Sequence, residues 1–110
     1  MGTQNNSDLY DCIGVIGAGY VGLVAGACFS ALGFTVNIVE IDPKKVDRLR
    51  KGVSTIYEPG LSEIIEDSLA ANRLQFSNTT RELFEKATPG VVFVAVGTPE
   101  NPDGSCNMKY

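Results

Sequence analysis

Three glycines, Gly17, Gly19 and Gly22, and one carboxylate, Glu40, are the residues of this sequence best suited to bind a ligand. Gly17-Ala18-Gly19-Tyr20-Val21-Gly22 is a G-x-G-x-x-G, and Glu40 follows Gly22 by 18 residues. Such a set binds a dinucleotide. The first glycine permits a tight turn, the second leaves the backbone bare so that pyrophosphate can approach, and the third lets a helix sit close to a strand. The start of that helix offers unpaired N–H groups and a partial positive charge to the phosphates. The acidic residue accepts hydrogen bonds from the adenine ribose. A ligand-free turn could use the same glycines, but Gly22 would then weaken the helix for no folding reason. Glu40 could equally be a solvated charge at a strand end. Asp42 competes for the ribose, although Asp42-Pro43 already has a sufficient role as a helix cap. Lys44 and Lys45 fit a solvated helix face as well as an adenosine contact.

The elements that must position these groups follow from the apolar pattern. Ile13-Gly14-Val15-Ile16 is a short strand apolar on both faces, typical of a parallel sheet covered by helices. Val21, Val24, Ala25, Cys28, Ala31 and Leu32 form a helical stripe ending at Gly33. Thr35 to Ile41 is a second strand, and a helix with Val46 and Leu49 inward runs to about Lys51. Residues 52–60 form a loop. Leu61, Ile64, Ile65 and Leu69 mark another helix, and Leu74 to Phe76 a third strand. Thr79-Thr80-Arg81-Glu82 fits a capping box. Val91 to Val96 is the clearest strand, and residues 97–110 read as loop. This β-α-β-α-α-β-α-β order predicts a Rossmann-type doubly wound α/β fold with a parallel sheet of order 3-2-1-4. In that order strands 1 and 4 are neighbours whose connections diverge, and ligands bind at such a switch point. Thr98 would then face the cofactor across from Gly17 and Gly19, with Gly97 permitting close approach; a plain Gly/Pro loop is the alternative.

Composition narrows the classes. The chain has 110 residues, room for one domain: a loose lead-in over 1–10 and a nucleotide-binding unit over 11–110. It is 44% hydrophobic and 20% charged, which argues against disorder. Net charge is -4 without a basic patch, so no nucleic-acid partner is expected. His is absent, and no metal site is expected. Cys12, Cys28 and Cys106 are odd in number and lack a CxxC spacing, which suits a reducing, cytoplasmic setting. Cys28 falls on the predicted buried stripe, and no His is present to activate Cys106, so no catalytic residue is expected. Cys12 to Val39 lacks charge and is long enough to span a bilayer. Its six glycines and its change of period argue against a membrane helix.

Ile13-Gly-Val-Ile-Gly-Ala-Gly-Tyr-Val-Gly-Leu-Val, Ser54-Thr-Ile-Tyr-Glu-Pro-Gly-Leu61 and Val96-Gly-Thr-Pro99, in that order, resemble the NAD-binding domain of the UDP-glucose/GDP-mannose dehydrogenase family. The resemblance covers about residues 11 to 110, and Tyr57 with the Val-Gly-Thr-Pro ending is more similar to the UDP-glucose branch. It implies an NAD-dependent oxidation of a nucleotide sugar: two NAD+ convert a C6 alcohol to a carboxylate, as in UDP-glucose to UDP-glucuronate for polysaccharide synthesis. It also implies that the family's thioester-forming Cys and its helpers lie beyond position 110, and that the full-length enzyme is a homo-oligomer. The cofactor residues carried over are Gly17, Gly19, Tyr20, Val21, Gly22, Glu40, Lys45, Val96, Gly97, Thr98, Pro99 and Glu100. The family commonly has Asp where this chain has Glu40. The Tyr57 to Leu61 loop receives no chemical role. Other readings are oxidation of GDP-mannose or another UDP-sugar, a hydroxyacid dehydrogenase of the same fold, and a non-redox nucleotide sensor; the Tyr-Glu-Pro-Gly-Leu loop disfavours the last two.

Overall fold

The computed structural model describes residues 12–86 and 89–96. Four strands, β1 (Cys12–Ile16), β2 (Thr35–Val39), β3 (Leu74–Ser77) and β4 (Val91–Val94), form one sheet. Every pair is parallel and the order is β3-β2-β1-β4. Helices α1 (Tyr20–Ala31), α2 (Pro43–Arg50), α3 (Leu61–Ala70) and α4 (Thr80–Lys86) connect them. The register sets Val15 beside Ile38 and Phe93, so alternate residues of β1 and β2 feed a single core. That core joins Ile13, Val15, Val36 and Ile38 to Leu23 and Ala27 of α1, Val46 and Leu49 of α2, and Leu61 and Ile65 of α3. On the opposite face α4 brings Leu83 close to Gly14. Asn37 is buried there, its Oδ1 accepting from Ser77 Oγ at 2.7 Å; its Nδ2 has no partner among the described residues.

Local chemistry explains most boundaries. Asp42 accepts the Lys44 N–H at 2.9 Å, and Pro43 opens α2, as its sequence requires. Thr79 Oγ1 accepts the Glu82 N–H at 3.0 Å. Glu82 Oε1 also accepts the Asn78 N–H at 3.1 Å and pairs with Arg50 Nη2 at 3.0 Å.

The buried face of α1 is a correction. It consists of Gly22, Leu23, Gly26, Ala27 and Ser30, two residues out of phase with the predicted stripe and so nearly the opposite side of the helix. Val21 and Leu32 are exposed, and so is Cys28. The helix is apolar nearly all round, so period alone could not select a face. Close approach selects it: a Cβ on Gly26 would stand 2.5 Å from Ile38 Cδ1. With any larger residue there the Ile38 side chain must shift for the helix to lie this close to β2. Strands β2 and β4 each stop two residues short of prediction, at Val39 and Val94. The parallel ladder nevertheless continues one step past β4, where Ala95 N–H donates to Ile16 O at 2.8 Å.

Candidate cofactor site

The C-terminal ends of β1, β2 and β4 meet at Gly17. Its N–H donates to Val39 O at 2.8 Å, and its φ of +106° suits glycine. A Cβ there would lie 3.0 Å from the Ala95 backbone and 3.1 Å from Val96 Cγ1, so β4 closes on this turn as the 3-2-1-4 order predicts. Gly22 has a different reason: its Cβ would fall 1.8 Å from Gly17 O. Both glycines are required by the chain's own packing.

Gly19 is not. Its φ of −74° and ψ of −168° are open to any residue, and a Cβ there would meet nothing within 4 Å. Nothing in the described chain needs the missing methyl group, and the space above it faces out of the fold. Gly19 is also the N-cap of α1. No side chain caps that end, and the first turn holds no acidic residue. An uncapped helix start leaves several amide donors and a partial positive charge for an anion. This cradle fits the diphosphate of a dinucleotide.

Glu40 stands just beyond β2. Its Oε1 accepts the Ala18 N–H at 3.3 Å and its Oε2 the Asp42 N–H at 2.9 Å. One carboxylate thus bridges the glycine turn and the start of α2. A carboxylate has about four acceptor sites, so each oxygen keeps one open. Asp42 instead caps α2 through Oδ1, without reaching the glycine turn as Glu40 does. Lys45 is exposed on α2, and no ion pair among the described residues holds it. Val21 is exposed at the start of α1, 69% accessible, where it borders the open cradle. Val96 joins the site through Gly17. Gly97, Thr98, Pro99 and Glu100 lie outside the described residues, as do Cys106 and residues 1–11.

The sequence reading missed one contact. Tyr20 Oη, on the first residue of α1, donates to Glu58 Oε2 at 2.8 Å across 38 positions. The hydrogen bond, followed by the carboxylate's charge and slight desolvation, raises the phenol above its ordinary value. Glu58 belongs to the loop that with α2 and α3 lines an open depression of about 500 Å³ including Arg48, Ser54, Tyr57 and Ser62. The signal was the Glu-Pro-Gly-Leu run, which specifies a turn but not what the turn presents. Cys12 is half-buried and desolvation pushes its thiol up. Among the described residues no cluster of metal-ligating side chains occurs. Nor is any helix among them long and apolar enough to cross a membrane.

Residues 11–110 match the NAD binding domain of the UDP-glucose/GDP-mannose dehydrogenases. The chain belongs to that family. It is 51% identical over 96 residues to a UDP-glucose 6-dehydrogenase of Pseudomonas aeruginosa, covering 87% of this chain and 21% of the relative. It is 44% identical over 99 residues to a UDP-glucose 6-dehydrogenase of Bacillus subtilis, covering 88% and 22%. The chain thus spans about a fifth of the length of these curated relatives. Among solved structures, a UDP-glucose dehydrogenase from Pyrobaculum islandicum superposes with a TM-score of 0.82 at 37% identity, over 98% of this chain and 24% of that one. A GDP-mannose dehydrogenase of Pseudomonas aeruginosa gives a TM-score of 0.79 at 32% identity, over 87% and 22%. The Rossmann-type fold and NAD as the cofactor of this family domain therefore stand.

Proposed function

We propose that this chain is the NAD-binding part of a dehydrogenase that oxidises the C6 alcohol of UDP-glucose to the carboxylate of UDP-glucuronate. Two NAD+ and one water are consumed, and two NADH and protons are released. NAD supplies the hydride-accepting chemistry. The chain's own residues bind and orient it. The α1 amides and the bare backbone of Gly19 take the diphosphate, Glu40 takes the adenine-side ribose hydroxyls, and Val96 leads the 97–100 segment toward the other half of the dinucleotide. Tyr20, Val21 and Lys45 border it. The observation that carries this reading is Gly19, a glycine whose missing side chain serves no contact within the described fold. Relatives named as UDP-glucose 6-dehydrogenases favour UDP-glucose over other sugar nucleotides. A cytoplasmic setting, a role in polysaccharide synthesis and a homo-oligomeric full-length enzyme belong to the same proposal.

Titration of NAD+ and NADP+ by calorimetry, against the unsubstituted chain and Glu40→Gln, tests it. A 2′-phosphate about 4 Å from the Glu40 carboxylate costs on the order of 4 kcal/mol at an effective dielectric near 20. Screening at the wet ribose edge reduces this to about 1–2 kcal/mol. NAD+ is therefore favoured by about ten- to thirtyfold, and Glu40→Gln narrows the gap while weakening NAD+. Absence of NAD+ binding, or an unchanged NAD+/NADP+ ratio in the variant, overturns the assignment.

A further inference from the structure

The loop over residues 52–60 is built to place one carboxylate. Glu58 O accepts the Leu61 N–H at 3.1 Å, and Gly60 has φ 82° and ψ −9°. With Pro59 and Gly60 as its central residues, Glu58 to Leu61 is a type II turn, in which proline presets the first corner and glycine supplies the positive φ of the second. The turn is anchored on both sides. Leu61 is buried in the core, and Ile56 packs against it from the other end of the loop. Ser54 Oγ braces the approach by donating to Ile56 O at 2.7 Å. Between these anchors Glu58 is held facing Tyr20, while its neighbour Tyr57 is 92% exposed. An exposed ring at the start of α1 would otherwise sample several rotamers beside the diphosphate cradle.

We propose that Glu58 is a positioning residue for the cofactor site, acting through Tyr20. This rests on the assignment of the α1 N-terminus to NAD. By accepting the hydrogen bond of the Tyr20 hydroxyl, Glu58 fixes the ring at the mouth of the cradle before the dinucleotide arrives. It also couples the 52–60 loop to α1, so that cofactor binding and loop order favour one another. Ordering one such side chain in advance is worth about two- to tenfold in affinity.

The test is NAD+ calorimetry on the unsubstituted chain, Tyr20→Phe, Glu58→Ala, Glu58→Gln and the double variant Tyr20→Phe/Glu58→Ala. Tyr20→Phe and Glu58→Ala each weaken NAD+ by about two- to tenfold. The double variant is no weaker than either single one, because both remove the same link. Glu58→Gln retains an acceptor oxygen and binds like the unsubstituted chain. In an alkaline absorbance titration, one tyrosine ionises at lower pH in Glu58→Ala than in the unsubstituted chain. NAD+ affinity that Glu58→Ala leaves unchanged, or losses that multiply in the double variant, overturn the positioning role alone. Failure of the unsubstituted chain to bind NAD+ overturns the cofactor reading and this proposal together.

Discussion

Gly19→Ala and Gly22→Ala exchange the same atoms three residues apart and separate two reasons for a glycine. At Gly22 the new Cβ would lie 1.8 Å from Gly17 O, a backbone atom pinned by the Gly17 N–H bond to Val39. Neither group can swing away, so the helix must lift off the turn. Overpacking of this kind costs about 3 kcal/mol or more. For a domain of this size each kcal/mol is about 4–8 °C of Tm, so Gly22→Ala should melt at least about 12 °C lower or fail to fold. At Gly19 the new Cβ meets nothing within 4 Å and the backbone angles are ordinary. Alanine there gains about 0.4–1 kcal/mol from a less flexible unfolded chain and loses a similar amount as a poorer N-cap. Stability should change by less than about 1 kcal/mol. Binding should not be spared. The methyl group occupies the space assigned to the diphosphate and pushes it off the α1 amides, whose hydrogen bonds to a charged group contribute about 1.5–3 kcal/mol each. Loss of even one weakens NAD+ by about tenfold or more. Thermal melts followed by circular dichroism, with NAD+ calorimetry on the same samples, give both quantities. A Gly19→Ala chain that binds NAD+ as tightly as the unsubstituted one would refute the reasoning that this glycine is reserved for the cofactor.

Among the described residues β4 pairs on one side only, with Val91, Phe93 and Val94 exposed. Light scattering should show concentration-dependent association, relieved by Val94→Lys because a charged edge resists strand pairing; a monomer throughout the series would count against an open edge. Cys28 should be alkylated well before Cys12 near pH 8, read by peptide mass mapping. Burial holds the Cys12 thiol neutral to higher pH, so its stabilising preference for the neutral form is intact below the unfolded thiol value and is lost as pH rises through the raised one. Equal rates in the native chain would refute this, whereas equal rates in denaturant are expected.

The elements, their order in the sheet and the glycine turn could be read from residue order alone. Asp42-Pro43 favours a helix start by local chemistry, and alternating strands and helices with right-handed crossovers leave few arrangements. That Glu40 comes at the C-terminal end of β2 was also legible, although the strand was expected to run on to Ile41 and stops at Val39. Three features came only with packing. It chose the buried face of α1, where an almost uniformly apolar helix offered no period and only the fit of Gly22 and Gly26 against Gly17 and Ile38 could break the tie. It divided Glu40 from Asp42, giving one the bridge to Ala18 and the other the cap. It also gave the Glu-Pro-Gly-Leu turn its object. Turn chemistry is local and can be read residue by residue, but the phenol that the turn faces lies 38 positions away. A pairing at that separation exists only after the chain has packed, because no local preference of either residue encodes its partner.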